Sequence, residues 1–501
     1  MIVESGHVLV LGWTPKLFTL LGELDEANAN QARPLVVVVL AIDDKMTMDT
    51  ALHDLARQYR SLRIVCRTGD SGDIGTLRTV AAERSKAIVV LSRPHDGDPH
   101  AVRTVLALGQ LGLPRETTVV VELLEESRVR ALRSAADIPF VPIVARDWIA
   151  RIVAHVCRTP GLGAVYRDLL DFAGDEIYFE SIPARLSGLR YFEVVARCLH
   201  GAAIGVVASG GDVELAPPPD RLLVDGDRLV VLAEDDGTVR FADLPVAVAP
   251  GSAPATKLRA PDHVGVLGWN GLGINVLRQF DEFLPPDSSI ELVCDERSTS
   301  RAPLPTEPFQ RFQLRHRFAD TTDPDELARL VGSSTLDCLL ILNGHEELGV
   351  HSADARVLLA MLETRHMLDA DRTLQVVAEF ADPSNTRLAG PERSEEFIVG
   401  EQLAALLMAQ VVENPALVGV FSELVDADGV DIDVVGVEAF VSTHEMLTFR
   451  ELAFRAATHR HAAIGTRAPD GTVTLNPPSD RQVPTDPGTQ LVVLRHLSEG
   501  R

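Results

Sequence analysis

Short apolar runs alternate with stretches of helical spacing along the first third of the chain. The runs are 8–11, closed by Gly12, and 35–42, closed by Asp43 and Asp44, followed by 63–66, 87–91 and 118–122. Near-continuous runs of Val, Ile and Leu predict strands buried on both faces, the mark of a parallel sheet. The segments between them, 16–27, 46–59, 75–84 and 101–111, have the length and apolar spacing of helices. Strands alternating with such helices predict an α/β structure, a parallel sheet covered on both faces. Beyond about residue 159 the pattern changes. Shorter runs at 177–179, 202–208, 212–215 and 228–232 are separated by Gly and Pro turns, with one helix near 191–198. They predict a small α+β domain.

The whole arrangement then recurs. His7-Val8-Leu9-Val10-Leu11-Gly12-Trp13 returns as His263-Val264-Gly265-Val266-Leu267-Gly268-Trp269, 256 positions later. The segment 160–169 (PGLGAVYRDL) returns as 415–424 (PALVGVFSEL), 255 positions later. In the small domain Ala203-Ile204-Gly205 matches Ala463-Ile464-Gly465, 212–221 matches 472–481, and 229–232 matches 491–494. Collinear matches at nearly constant displacement establish an internal duplication. Strands of the second copy are predicted near 264–267, 290–294, 336–342 and 375–379. The predicted fold class is α/β: two tandem modules, each a Rossmann-like parallel-sheet lobe followed by a small α+β lobe. The lobes are placed at 1–158 and 159–245, then 262–413 and 414–501, with an Ala- and Pro-rich linker at 246–261.

Composition narrows the function classes. The 501 residues carry a formal net charge of −25. That argues against a nucleic-acid partner, because phosphate binding needs a basic surface. The five cysteines, Cys66, Cys157, Cys198, Cys294 and Cys338, are scattered with no CxxC pair. They read as buried apolar thiols of a reducing compartment rather than as metal ligands. The longest apolar run has eight residues, against the roughly 20 that a membrane-spanning helix needs. The chain reads as soluble as given.

An open parallel sheet binds ligands beyond the carboxyl ends of its strands, at the first strand-to-helix turn. That turn is Gly12-Trp13-Thr14-Pro15-Lys16 in copy one and Gly268-Trp269-Asn270-Gly271-Leu272-Gly273 in copy two. Against a GxGxxG fingerprint, copy two keeps Gly268 and Gly273 with Asn270 in the middle, whereas copy one keeps Gly12 alone. Asp43 and Asp295 end the second strands, where an acid either bonds a ribose or caps the next helix. Arg67 and Gly69 follow the third strand of copy one and either line the same crevice or belong to a solvated loop. These eight residues are the candidate cofactor-binding set. No catalytic constellation is legible: GxSxG, HExxH and GxxxxGK[ST] are all missing. His100, His345 and His351 read as loop residues without a partner at metal-ligand spacing, and Glu234-Asp235-Asp236 as a solvated strand end rather than a calcium loop.

In combination, several segments resemble the cytosolic part of the Castor/Pollux family of ion channels. They are ESGHVLVLGWTPKLFTLL (4–21), IVCRTGD (64–70), KAIVVLS (86–92), AVRTVLAL (101–108), VVVEL (119–123), RTPGLGAVYRDLL (158–170), LVDGDRLVVLAEDD (223–236) and HVGVLGWN (263–270). The resemblance implies two tandem RCK domains (regulators of potassium conductance) that join other copies in a homotetrameric gating ring at the cytoplasmic face of a membrane. It implies a cation channel, potassium foremost, opened by calcium or a nucleotide such as NAD, and no enzyme. A ring of this kind needs a ligand that binds one of its conformations better than another. Family pore helices precede the first RCK strand, which here starts at about residue 8. The pore is therefore expected upstream or on a separate subunit. The alternatives are a detached nucleotide-binding regulatory subunit of a membrane transporter, and an NAD-dependent oxidoreductase. Topology permits the latter, but the sequence offers it no acid, base or metal cluster.

Overall fold

The computed structural model describes residues 5–93, 97–235, 237–245, 261–300, 302–332, 335–368, 374–390, 395–425, 429–441, 446–485 and 488–496. The predicted linker lies outside them except for Pro261, as does Asp236 of the acidic strand end. Glu234 and Asp235 are exposed immediately after their strand, as a solvated end would be.

The first parallel sheet contains β1 (Val8–Leu11), β2 (Leu35–Ala41), β3 (Leu62–Thr68), β4 (Ala87–Val90), β5 (Thr118–Leu123) and β6 (Val141–Val144). Five of these stand where the apolar runs place them. β6 was not legible, because it is four residues long and contains Pro142. Proline is tolerated there because β6 is an edge strand. The helices are α1 (Lys16–Ala27), α2 (Lys45–Ala56), α3 (Ile74–Thr79), α4 (Gly97–Gly109) and α5 (Glu126–Ala135). In α1, Leu17, Leu20, Leu21 and Leu24 recur at three- and four-residue spacing and are fully buried. Asp44, not Asp43, caps α2, accepting from the backbone N–H of Met46 (2.9 Å) and Thr47 (3.2 Å). The strand order is β3-β2-β1-β4-β5-β6. Its direction of growth reverses between β1 and β4, which opens a crevice at their carboxyl ends.

α6 (Ala145–Arg158) and α7 (Leu162–Leu170) lead to the first small lobe. That lobe comprises β7 (Glu176–Ser181), α8 (Tyr191–Val195), β8 (Cys198–His200), β9 (Ala202–Val207), β10 (Val213–Leu215), β11 (Arg228–Ala233) and β12 (Arg240–Phe241). The second module repeats the plan with β13 (His263–Leu267), β14 (Ser288–Cys294), β15 (Phe312–Phe318), β16 (Cys338–Ile341), β17 (Gln375–Phe380) and β18 (Glu395–Val399). Their order is β15-β14-β13-β16-β17-β18, the same as in the first sheet. β15 escaped the sequence reading because its sequence, FQLRHRF, alternates polar and apolar residues on an edge. The helices are α9 (Gly273–Phe283), α10 (Pro324–Val331), α11 (His345–Leu348), α12 (Val350–Met367), α13 (Pro383–Ala389), α14 (Gly400–Glu413) and α15 (Leu417–Val425). The second small lobe holds β19 (Val430–Gly436), β20 (Met446–Thr448), α16 (Phe449–Ala457), β21 (His461–Arg467), β22 (Val473–Leu475), β23 (Gln482–Pro484) and β24 (Gln490–His496).

Two compact units form, Met1–Ile149 with Gly400–Val418, and Ala150–Val399 with Gly419–Arg501. In the first, α14 packs on α1, β4 and β5. Its residues from Leu403 to Val412 are buried on every side, as an all-round apolar helix requires. The first sheet is thus covered by a helix that the second copy supplies. In the second unit the end of α6 meets the second sheet. The Gln375 side chain donates to the Val156 carbonyl, and the Arg158 guanidinium lies 5.4 Å from the centre of the Phe283 ring. The two small lobes share one core within this unit, joining Tyr191, Leu229 and Val231 to Phe440, Leu452 and Leu491. Phe192 and Phe454 meet at 6.0 Å.

A buried polar cluster lies at the root of the second small lobe. His155 Nδ1 is 2.6 Å from the Tyr166 hydroxyl, and its Nε2 faces Asp431 at 3.4 Å. Asp431 is paired with Arg158. Burial pushes the His155 imidazole down to about 4, against the pull of Asp431.

Two predictions follow from this packing. Phe440→Ala removes a fully buried ring from the shared core and should cost about 3–5 kcal/mol, read as a lower urea midpoint. The unfolded chain takes a proton on His155 near pH 6.5, whereas the folded chain does so near 4. His155 therefore contributes stability above 6.5 that is lost as pH falls toward 4, about 3 kcal/mol in all. Urea midpoints measured between pH 7 and 4 should fall less steeply for His155→Gln than for the wild type.

Candidate ligand-binding site

The crevice of copy two is closed by its own residues. Gly268 ends β13 at φ +90°, and a Cβ there would lie 2.3 Å from the Leu342 carbonyl oxygen. Trp269 is buried, and its Nε1 donates to the Ala302 carbonyl at 2.6 Å. Its ring lies on Gly273, where an added Cβ would meet Cζ3 at 2.5 Å. Both glycines of the partial fingerprint are therefore demanded by internal contacts. Asn270 is buried beneath, donating to the Asn343 carbonyl and to Glu379 Oε2, each at 2.7 Å. Its Oδ1 accepts the Leu272 amide at 2.9 Å, occupying a donor at the start of α9. Glu379 also accepts the Asn343 amide at 3.0 Å. Asn343 in turn donates to Asp354, which accepts the Ala381 and Asp382 amides.

Asp295 faces the same crevice, but Arg297 already holds both its oxygens, at 3.0 and 2.7 Å. Those hydrogen bonds bring the Asp295 carboxyl down to about 2. The remaining cavity is about 40 Å³ and is walled by Gly268, Trp269, Asp295, Arg297, Thr321 and Arg356 among others. That is room for a few waters, against the roughly 300 Å³ or more of a typical ligand pocket.

The crevice of copy one is filled by an ion cluster. Lys16, in the first turn of α1, places Nζ 2.9 Å from Glu122 Oε1 and 2.8 Å from Glu401 Oε2. Burial alone would push the Lys16 ammonium down. The two carboxylates more than reverse this and hold it above the usual lysine range. Glu122 ends β5, is buried, and takes the Ser92 amide at 2.9 Å. Burial pushes its carboxyl up, with Lys16 opposing. A helix N-terminus that would face a phosphate in a dinucleotide site here faces an ammonium bracketed by two acids.

The predicted residues fare unequally. Gly268 and Asp295 are brought together at one cavity, with Asn270 and Gly273 behind its wall. In copy one Gly12 packs against Leu91, with 3.1 Å left for a Cβ. Asp43 is exposed, its carbonyl accepting from Thr68. Arg67 turns back onto the Cys66 carbonyl at 2.8 Å, and Gly69 lies under Thr76. The histidines read as loop residues are helical instead: His100 lies in α4, His345 begins α11 and His351 lies in α12. His100 is buried 3.1 Å from the Ser71 hydroxyl. The candidate set omits Lys16, although it lies in the predicted turn, and with it Glu122, Glu379 and Glu401. A signal was present: VVVEL and VVAEF both carry one acid inside a buried strand, 257 positions apart. Among the described residues no group of three or more His, Cys, Asp or Glu is placed to hold a metal.

Comparison with known proteins agrees with the sequence resemblance. A family described as Castor and Pollux, part of voltage-gated ion channel, matches residues 146–247. Over 95% of its length the chain is 26% identical to the probable ion channel CASTOR of Oryza sativa subsp. japonica, covering 58% of that protein. It is 25% identical to the ion channel CASTOR of Lotus japonicus, again over 95% of the chain, covering 61% of that protein. The chain thus spans about three-fifths of the length of these curated relatives. The human SLO3 gating ring shares its fold, with TM-score 0.67 at 13% identity over 99% of this chain and 100% of that one. The tandem architecture, a Rossmann-like parallel-sheet lobe and a small α+β lobe in each module, is borne out, and it is the fold of that gating ring. No helix among the described residues is long and apolar enough to cross a membrane.

Lys16→Met leaves Glu122 buried without its counter-ion and should cost about 3–5 kcal/mol in urea unfolding. Adding Glu122→Gln should restore most of that loss. Glu401→Gln alone should cost under about 1 kcal/mol, because that acid is partly exposed.

Proposed function

We propose that the chain is the ligand-sensing gating-ring module of a Castor/Pollux-like cation channel, coupling calcium or nucleotide binding to the opening of a potassium-conducting pore. The observation that carries this reading is collinear similarity to named ion channels over 95% of the chain. The gating-ring fold along the whole chain supports it. The module acts as an assembly of four chains beneath the pore, at the cytoplasmic side of the membrane. Binding energy does work there only to the extent that the ligand prefers one ring conformation over another.

Copy two is the sensing copy in this reading. Its crevice is closed by Trp269 and by the Asp295–Arg297 pair, both of which can be displaced without stranding a buried charge, since Asp295 and Arg297 both reach solvent. Copy one has Lys16 and Glu122 in that place, and opening it would strand Glu122. A nucleotide entering copy two swings the indole off Gly273 and takes Asp295 from Arg297. Calcium would take Asp295 alone.

Light scattering and calorimetric titration test this reading. Tetramers are expected at high protein concentration, with heat of binding for at least one of calcium, NAD and ADP. Trp269→Ala should raise nucleotide affinity several-fold, while Lys16→Met/Glu122→Gln should leave it unchanged. A chain that stays monomeric with every ligand, or whose titration depends on the Lys16 crevice, overturns the assignment.

A further inference from the structure

The five cysteines look solitary in the sequence, yet the fold brings two of them together. Cys157 lies in the last turn of α6 and Cys338 opens β16. Both are buried, at 1% and 0% exposure, and Cys338 is among the groups that, after burial, press on the Cys157 thiol. An independent contact fixes α6 over this spot. Gln375, paired with Cys338 across β16 and β17, sends its side chain to the carbonyl of Val156, the neighbour of Cys157. The remaining three thiols have other surroundings. Cys198 donates to the Gly201 carbonyl at 3.0 Å, Cys66 sits beside Asp49, and Cys294 sits beside Asp295.

We propose that Cys157 and Cys338 form a redox pair that closes to a disulfide, stapling the end of α6 to the second sheet. The inference rests on this juxtaposition and not on the channel reading. The oxidant is a low-molecular-weight disulfide, RSSR. One protein thiolate attacks it and releases RS⁻; the second protein thiolate attacks the protein sulfur of the mixed disulfide and releases the second RS⁻. Two protein thiols and one RSSR thus become one protein disulfide and two RSH, after protonation of the leaving thiolates. Burial holds the Cys157 thiol well above its ordinary pKa, so the resting pair is unreactive. Attack requires the end of α6 to lift, and closure is a readout of that local opening. The bond closes a loop of 181 residues between positions 157 and 338, a length at which a cross-link restricts the unfolded chain strongly.

The test uses the full chain incubated with excess oxidised glutathione, quenched with N-ethylmaleimide and mapped by mass spectrometry without reduction. The expected product is a Cys157–Cys338 linked peptide, several-fold in excess of any pairing that includes Cys66, Cys198 or Cys294. It should form faster in sub-denaturing urea. The melting temperature should rise by several degrees and fall back with dithiothreitol. Cys66→Ala should keep the linked peptide and the shift; Cys157→Ala and Cys338→Ala should abolish both. Should either of the latter fail to fold, the wild-type peptide map decides alone. Glutathione adducts on Cys157 or Cys338 without the linked peptide overturn the proposal. So does a map in which both remain free thiols at every urea concentration below the transition.

Discussion

A carboxylate at the end of the fifth strand of each sheet constrains what the crevices can do. Glu122 and Glu379 sit where strand carbonyls converge and water is excluded, and a charge buried there is tolerated only with a full set of partners. Each takes one backbone amide from the second residue past the neighbouring strand, Ser92 at 2.9 Å and Asn343 at 3.0 Å. The copies diverge in the second partner. Copy one answers with a lysine ammonium, copy two with the amide of Asn270. The ammonium brings a further acid, Glu401, and with it α14 onto the first sheet. The amide brings no charge and leaves room for a hydrogen-bonded row through Asn343 to Asp354.

This changes the meaning of the glycine pattern. Gly268 and Gly273 look like remnants of a pyrophosphate cradle when only spacing is considered. The atoms that would collide with a side chain at those positions are a strand carbonyl and an indole ring of the same chain. Glycine is retained where backbone or an aromatic face approaches closely, whatever the approaching group is. A tryptophan stacked on the helix start serves that purpose as well as a phosphate. The fingerprint therefore reports close approach, and the identity of the group must come from the site.

Much of the fold was legible because the duplication supplied two readings of each element. β1, α1, β2, β4 and β5 fall within a residue or so of their apolar runs. β6, β15 and β18 were missed for physical reasons: all three are edge strands, which need not be apolar on both faces, and β6 tolerates a proline there. The site was less legible. Lys16 in the first turn of a helix opposes the helix dipole, and although the acid inside the buried run VVVEL marks Glu122 as needing a partner, no motif links either Glu122 or Glu401 to position 16. The same holds for Cys157 and Cys338, far apart in sequence, whose segments the Gln375–Val156 contact brings together. Pairings of this kind arise from exchanged helices, and linear spacing carries no trace of them. Asp295 stood at the expected strand end, but its capture by Arg297 depends on the short 3-10 turn at Glu296–Ser300 that no motif specifies.

The exchange also leaves its mark on the chain junctions. β18 ends at Val399 and α14 begins at Gly400, so one peptide bond joins the edge of the second sheet to the helix covering the first. β6 ends at Val144 and α6 begins at Ala145 in the same way. Neither junction has a loop to absorb displacement. The edge strand of the second sheet thus continues directly into α14, with Glu401 one residue past the junction and bonded to Lys16. Copy one fills its crevice with its own lysine, and Glu401 anchors the first turn of α14 there while the apolar residues from Leu403 to Val412 seat the rest of the helix on the sheet.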